Sequence, residues 1–104
     1  MKSELPFLPV ARLASLLDRK EISPVEIVTA LLERIDRYSA RLRSYITVCA
    51  DSALEAARRA EKEIVAGRRW GPLHGIPVSH KDISWTKGVL TTAHSRAMLD
   101  HVPE

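Results

Sequence analysis

Cysteine is nearly absent from this sequence. Cys49 is the only one among 104 residues, so no disulfide can form within the chain. Small secreted domains are commonly held together by several disulfides, and a lone thiol favours a reducing compartment. Cys49 follows the apolar run 45–48, and this placement predicts a buried, small hydrophobic side chain.

Aromatic residues are also scarce, and the charge is balanced. Aromatics make up 5% of the chain, and 16 basic against 13 acidic residues leave a net charge of +3. Basic residues alternate with acidic ones, as in residues 58–63, whereas nucleic-acid binders usually concentrate them in a stripe with interleaved aromatics. The composition therefore predicts no direct contact with nucleic acid.

Long hydrophobic runs are missing as well. No stretch of about 18 apolar residues occurs, and Glu4 and Pro6 stand where a secretory signal would be apolar. These features predict a cytoplasmic protein without a membrane-spanning segment. The length and the 45% hydrophobic content are those of one ordinary globular domain.

Glycine and histidine are both absent from residues 1–66, and all four of each lie beyond that point. In the first part, apolar spacing predicts helices over residues 9–20, from Ser23 onward and over 51–66, and Ser23 and Glu26 form a capping-box pattern. The β-branched and aromatic run 45–49 predicts a strand. Helices combined with strands predict an α/β fold.

Residues 71–82 are the most informative segment. They read Gly-Pro-Leu-His-Gly-Ile-Pro-Val-Ser-His-Lys-Asp, two Gly/Pro turns followed by a predicted strand with Lys81 at its far end. Alternation along a strand places Lys81 and Ser79 on one face and Asp82 on the other. A lysine acts as a general base only where burial or the absence of a close anion disfavours its ammonium form. Lys81 is thus a candidate base, and a lysine reaching solvent from a strand end is the ordinary alternative.

This motif, together with Gly88 and the Thr-Thr-Ala of residues 91–93, resembles the N-terminal part of the amidase signature family. The resemblance implies that Lys81 is the lysine of a Ser-Ser-Lys triad that cleaves a linear amide through a covalent acyl-serine. It also implies helices packed on the first strands of a mixed sheet, incomplete in this chain. Residues 1–104 would form the N-terminal part of a single amidase domain, with a helical scaffold over 1–66 and the lysine motif over 71–95.

Two positions depart from the family pattern. His80 stands where a small or apolar residue is usual, and His94 stands where glycine is common. If that glycine serves a positive φ, His94 adopts it only at a cost. The family's two triad serines lie in a Gly- and Ser-rich segment that nothing after Lys81 resembles, so we expect the chain to be inactive alone.

Two alternative functions remain open at this stage. The chain could belong to the A subunit of glutamyl-tRNA(Gln) amidotransferase, or it could be a non-catalytic interaction or scaffold module derived from an amidase. The expected substrate of the full-length parent is a small-molecule amide, and its association as a homodimer or with amidotransferase subunits is undetermined. The spacing of the histidines fits no metal motif, and we expect neither a metal nor a cofactor.

Overall fold

The computed structural model describes residues 3–104 and shows three α-helices in the regions where helices are predicted. Helix α1 spans Val10–Asp18, α2 spans Pro24–Leu42 and α3 spans Ala50–Val65, and short 3-10 turns cover Leu5–Phe7 and Arg96–Met98. None of the helices described combines the length and apolar character needed to cross a bilayer.

The chain divides into two compact units. Residues up to Arg43 together with Cys49–Pro77 form one, which contains α1, α2 and α3 and is called the helical unit below. Ser44–Val48 and Val78–Glu104 form the other, called the loop unit.

The predicted α/β fold is wrong for the part of the chain that the structure describes, because residues 3–104 contain no strand and no sheet. Residues 45–49 and the segment that leads from the Gly/Pro turns to Lys81, both predicted as strands, are irregular. A β-propensity describes how well a side chain fits a pleated, half-buried surface. A strand also needs a neighbouring strand with which its backbone groups exchange hydrogen bonds. Ile46 and Val78 are 58% and 69% exposed, so neither segment has such a surface. Cys49, predicted to be buried, is exposed.

The capping box at the start of α2 is present in full. The Ser23 hydroxyl accepts a hydrogen bond from the Glu26 amide at 3.2 Å, and the Glu26 carboxylate accepts one from the Ser23 amide at 3.0 Å. Pro24 occupies the first helical turn, where its missing N–H costs no helical hydrogen bond. The sequence between Ser23 and Glu26 therefore determines where α2 begins.

Helix α3 ends at a left-handed glycine. Gly67 has φ +82°, its amide bonds to the Ile64 carbonyl at 3.0 Å, and the Arg68 amide bonds to the Glu63 carbonyl at 2.8 Å. This is a Schellman motif, which satisfies the last carbonyls of the helix and turns the chain away from its axis.

The core of the helical unit is aliphatic. Leu17 of α1 and Ile27 of α2 are fully buried, and the remaining buried members of the cluster come from α1, α3 and the segments beside the helices: Leu5, Leu13, Leu16, Ile22 and Ile64. Each such side chain contributes about 1.5–3 kcal/mol by leaving water.

Hydrogen bonds attach the Gly/Pro segment to α3. The Nδ1 atom of His74 accepts a hydrogen bond from the Trp70 amide at 3.1 Å, so the ring proton lies on Nε2, which is 2.8 Å from the Glu63 carboxylate. The Trp70 indole N–H also donates to Glu63, at 3.3 Å. The histidine of the motif thus has a structural role in this unit.

Gly75 is the point of closest approach between that segment and the helices. Its φ is +85°, and a Cβ at this position would lie 2.8 Å from Cγ of Pro24 and 3.2 Å from Cδ1 of Ile64. Only glycine meets both the dihedral angle and the space available.

We predict that Gly75→Ala lowers the free energy of unfolding by about 2–4 kcal/mol, since it combines a left-handed side chain with a steric clash. Urea denaturation measures the effect. Two matched glycines separate the causes, because Gly67 has a positive φ with nothing within 4 Å and Gly71 has neither constraint. We expect a loss of about 1 kcal/mol for Gly67→Ala and nearly none for Gly71→Ala. Equal losses at Gly75 and Gly67 would show that the clash is relieved.

Candidate active site

Lys81 lies at the start of a tight turn in the loop unit, not at the end of a strand. Its carbonyl accepts a hydrogen bond from the Ser84 amide at 2.9 Å. The side chain is exposed, as are Val78 and His80, so the predicted apolar surroundings do not enclose it. Among residues 3–104, no hydrogen bond or ion pair involves the Lys81 ammonium.

The neighbouring Asp82 is bound through its carboxylate and its carbonyl by residues ten and eleven positions later. The Thr92 amide donates to one carboxylate oxygen at 2.8 Å, the Thr92 hydroxyl donates to the other, and the Ala93 amide donates to the Asp82 carbonyl at 2.8 Å. We call these three hydrogen bonds the Asp82–Thr92 clamp. They direct the Asp82 carboxylate into the 91–95 loop.

The pKa of Asp82 lies below its ordinary value. The hydrogen bond from the Thr92 hydroxyl is the main cause, followed by that from the Thr92 amide, and partial desolvation opposes them. The amide and the charge of His94 lower the pKa further. Hydrogen bonds to the charged form of a carboxylate have this effect, so the clamp binds Asp82 as an anion.

Two consecutive residues of the 91–95 loop have left-handed backbones. Ala93 has φ +48° and His94 has φ +57°, a conformation that costs a non-glycine residue about 1–2 kcal/mol. The His94 amide donates to the Thr92 hydroxyl oxygen at 3.1 Å, and the Ser95 amide donates to the Thr92 carbonyl at 2.9 Å. His94, the position where the resemblance implies a glycine, thus does have a positive φ.

Residues 101–103 are hydrogen-bonded to residues 88 and 91 of the loop unit. The Thr91 amide donates to the His101 carbonyl at 2.9 Å, and the Gly88 amide donates to the Pro103 carbonyl at 2.8 Å. The Trp85 and His101 rings lie 4.6 Å apart in a tilted arrangement. Thr91 and Thr92 are both buried within this set of hydrogen bonds.

No serine hydroxyl of the described residues forms a hydrogen bond with the Lys81 side chain. Ser79, expected on the same strand face, makes no hydrogen bond to it, and the Ser95 hydroxyl instead accepts from the Ala97 amide at 3.3 Å. Nor do residues 3–104 bring three His, Cys, Asp or Glu side chains into a cluster that could hold a metal ion.

The role of Asp82 was not predicted from the sequence. The alternation argument placed its side chain away from Lys81, and the structure does direct it elsewhere, but through hydrogen bonds to Thr92 rather than through a strand. The only sequence signal for this contact was that Lys-Asp and Thr-Thr-Ala occur in the same motif. That co-occurrence does not indicate which of these residues contact each other.

Comparison with curated proteins identifies relatives over most of the chain. The chain is 48% identical over 93 residues to the A subunit of glutamyl-tRNA(Gln) amidotransferase from Aromatoleum aromaticum, covering 89% of this chain and 19% of that protein. The proteins of the same description from Moorella thermoacetica and Geobacter metallireducens are 42% and 44% identical over 100 residues, covering 96% of this chain and 20% of theirs. The chain thus spans about a fifth of the length of these relatives.

No solved structure matches the chain significantly. The family model described as Amidase matches residues 26–104, which is well over half of the chain and includes Lys81 and both sides of the Asp82–Thr92 clamp. The chain therefore belongs to the amidase signature family.

Proposed function

We propose that this chain is the N-terminal portion of an amidase that cleaves the carbon–nitrogen bond of a linear amide, with Lys81 as the lysine of a Ser-Ser-Lys triad. The observation that carries the proposal is the position of Lys81 inside the matched segment, with an ammonium free of ion pairs beside an aspartate that is bound elsewhere. A base needs this separation, because a paired carboxylate would hold the lysine in its charged form.

In the proposed reaction, the neutral amine of Lys81 accepts a proton from a bridging serine, which takes the proton of the nucleophilic serine as that oxygen attacks the amide carbon. The tetrahedral intermediate breaks its carbon–nitrogen bond, and the leaving amine takes up the proton that Lys81 had accepted, passed back through the bridging serine. Water then hydrolyses the acyl-serine, releasing the acid and restoring the hydroxyl. The complete cycle returns the triad to its starting protonation.

The nucleophile is not supplied by residues 3–104 in this proposal. The hydroxyls of Ser79, Ser84 and Ser95 make no hydrogen bond to the Lys81 ammonium, and the relatives are about five times as long as the matched segment. We therefore propose that the 104-residue chain is inactive alone, that it acts on a small-molecule amide as part of a longer enzyme, and that it functions in the cytoplasm. Its exposed, unpaired Cys49 supports that compartment, since a reduced thiol persists there.

A second candidate is a role within the A subunit of a glutamyl-tRNA(Gln) amidotransferase. The observation that favours it is the shared description of the three relatives named above, at 42–48% identity. In that case the chain acts together with the other subunits of such a complex. The third alternative is a non-catalytic interaction or scaffold module, and the exposed apolar side chains of the loop unit, such as Val78, Ile83 and Trp85, count against it as a free-standing protein.

We predict that Lys81→Ala in a full-length amidase carrying residues 1–104 at its N-terminus abolishes acyl-enzyme formation, because no other group deprotonates the bridging serine. Trapping of the acyl-serine by mass spectrometry measures it. Lys81→Arg keeps the positive charge but cannot act as a base, and it should be equally inactive. Lys87→Ala, which removes another exposed lysine of the loop unit, is the control and should retain activity. Acyl-enzyme formation by the alanine variant at position 81 would contradict the proposal.

A second experiment separates the two enzyme candidates. The same full-length protein is assayed for hydrolysis of simple amides and, with the partner subunits of a related amidotransferase, for amidation of glutamyl-tRNA(Gln). Hydrolysis alone supports the free-standing amidase, and partner-dependent amidation supports the amidotransferase role. The purified 104-residue chain should turn over neither substrate. Measurable turnover by it would refute the proposal that the two triad serines are supplied by another part of the enzyme.

A further inference from the structure

We propose that Asp82 is a positioning residue for Lys81, and that the hydrogen bonds from Thr92 keep the Asp82 carboxylate from pairing with the lysine beside it. This inference rests on the function proposed above, because it concerns how the same lysine is kept available as a base. It assigns to Thr92 and Asp82 a role that neither has in the triad itself.

The first support is the occupancy of the Asp82 polar atoms. Both carboxylate oxygens accept hydrogen bonds from Thr92, and the carbonyl accepts one from Ala93. Asp82 is the anion closest in sequence to Lys81, yet no ion pair joins them. A free aspartate side chain at this position could rotate toward the ammonium, and the Thr92 hydroxyl and amide give it a better-matched partner.

The second support is that the clamp fixes the backbone next to Lys81. It joins residue 82 to residues 92 and 93, and the turn bond from the Ser84 amide to the Lys81 carbonyl lies immediately beside it. The backbone on the C-terminal side of Lys81 is therefore held by four hydrogen bonds within the loop unit. A base that must meet a hydroxyl within hydrogen-bond reach benefits from a fixed backbone, since small misplacements of catalytic groups cost large factors in rate.

The third support is the strained loop on the other side of the clamp. Ala93 and His94 both have positive φ, and such residues persist only where surrounding contacts determine them. The Thr92 hydroxyl supplies those contacts, because it donates to Asp82 and accepts from the His94 amide. Thr92 is buried, so water does not easily replace these bonds.

The test uses the full-length amidase that carries residues 1–104, with Thr92→Val as the main variant. Valine keeps the shape of threonine and removes only the hydroxyl. We expect kcat to fall by about tenfold or more with KM nearly unchanged, because substrate contacts are not altered. Thr92→Ser keeps the hydroxyl and should restore most of kcat. Thr91→Val is the matched control, because its buried hydroxyl bonds only to the Val89 carbonyl, at 3.0 Å, and does not contact Asp82.

The pH profile separates positioning from general loop stability. In Thr92→Val, the freed Asp82 carboxylate can pair with Lys81 and favour its ammonium form, so the pH at which activity rises should move upward. The double variant Thr92→Val with Asp82→Asn removes that carboxylate and should reverse the shift. A loss of stability alone would lower activity at every pH without moving the profile. Should Thr92→Val fail to fold, Thr92→Ser and Asp82→Asn are compared in the same assays.

The outcomes distinguish this inference from the proposed function. If Lys81→Ala is inactive while Thr92→Val keeps the wild-type kcat and pH profile, the positioning role is refuted and the triad assignment stands. If Lys81→Ala keeps its activity, the proposed function itself fails. A reduced kcat with a shifted profile that Thr92→Ser reverses supports both.

The same full-length protein offers a test that is independent of activity. The pKa of Asp82 is lowered in the folded state, so the clamp stabilises the loop at pH above the ordinary aspartate value of about 3.9, and this stabilisation is lost as the pH falls through the lowered value. The groups that face the carboxylate are Thr92 and His94. We expect the NMR titration of the Asp82 carboxyl carbon to have its midpoint below that of an unperturbed aspartate, and Thr92→Val to raise it while Thr91→Val does not. An ordinary midpoint in the wild-type chain would contradict the clamp.

Discussion

The carboxylate of Asp82 is the constraint on which the loop unit depends. Its two oxygens and the adjacent carbonyl accept three hydrogen bonds from Thr92 and Ala93, across an interval of ten residues that contains no regular secondary structure. Without a ladder or a helix to satisfy its backbone groups, an irregular segment depends on such side-chain bonds together with scattered backbone bonds, here those of Thr91 and Gly88 to residues 101 and 103. Because the bonded species is the anion, these hydrogen bonds satisfy the Asp82 carboxylate within the 91–95 loop.

The helical unit depends on a different kind of constraint, close packing. Gly75 approaches Pro24 and Ile64 so closely that no side chain fits between them. His74 and Trp70 bond to Glu63, and these polar contacts hold the Gly/Pro segment at the end of α3. The motif residues therefore divide into two groups: those before Val78 anchor the segment to the helices, and those from Lys81 onward arrange the candidate chemistry.

Local sequence signals predicted the helices because each signal acts within a few residues. The capping box from Ser23 to Glu26 and the glycine at position 67 satisfy helix ends with bonds to neighbouring residues, and both are present. The strands could not be predicted in the same way. A strand at 45–49 requires a neighbour that is remote in sequence, and the described residues contain none, so the β-branched residues of this segment are exposed. The buried setting predicted for Cys49 was wrong for the same reason.

The sequence by itself determined the family, the start of α2, the end of α3 and the identity of the candidate base, because motifs and caps are properties of short segments. Only the tertiary structure decided what Asp82 and Thr92 do. Their contact joins residues ten positions apart through side-chain hydrogen bonds, and no pattern of spacing states which donor meets which acceptor. The left-handed backbones of Ala93 and His94 are likewise seen only in the tertiary structure, since the residue types there disfavour them.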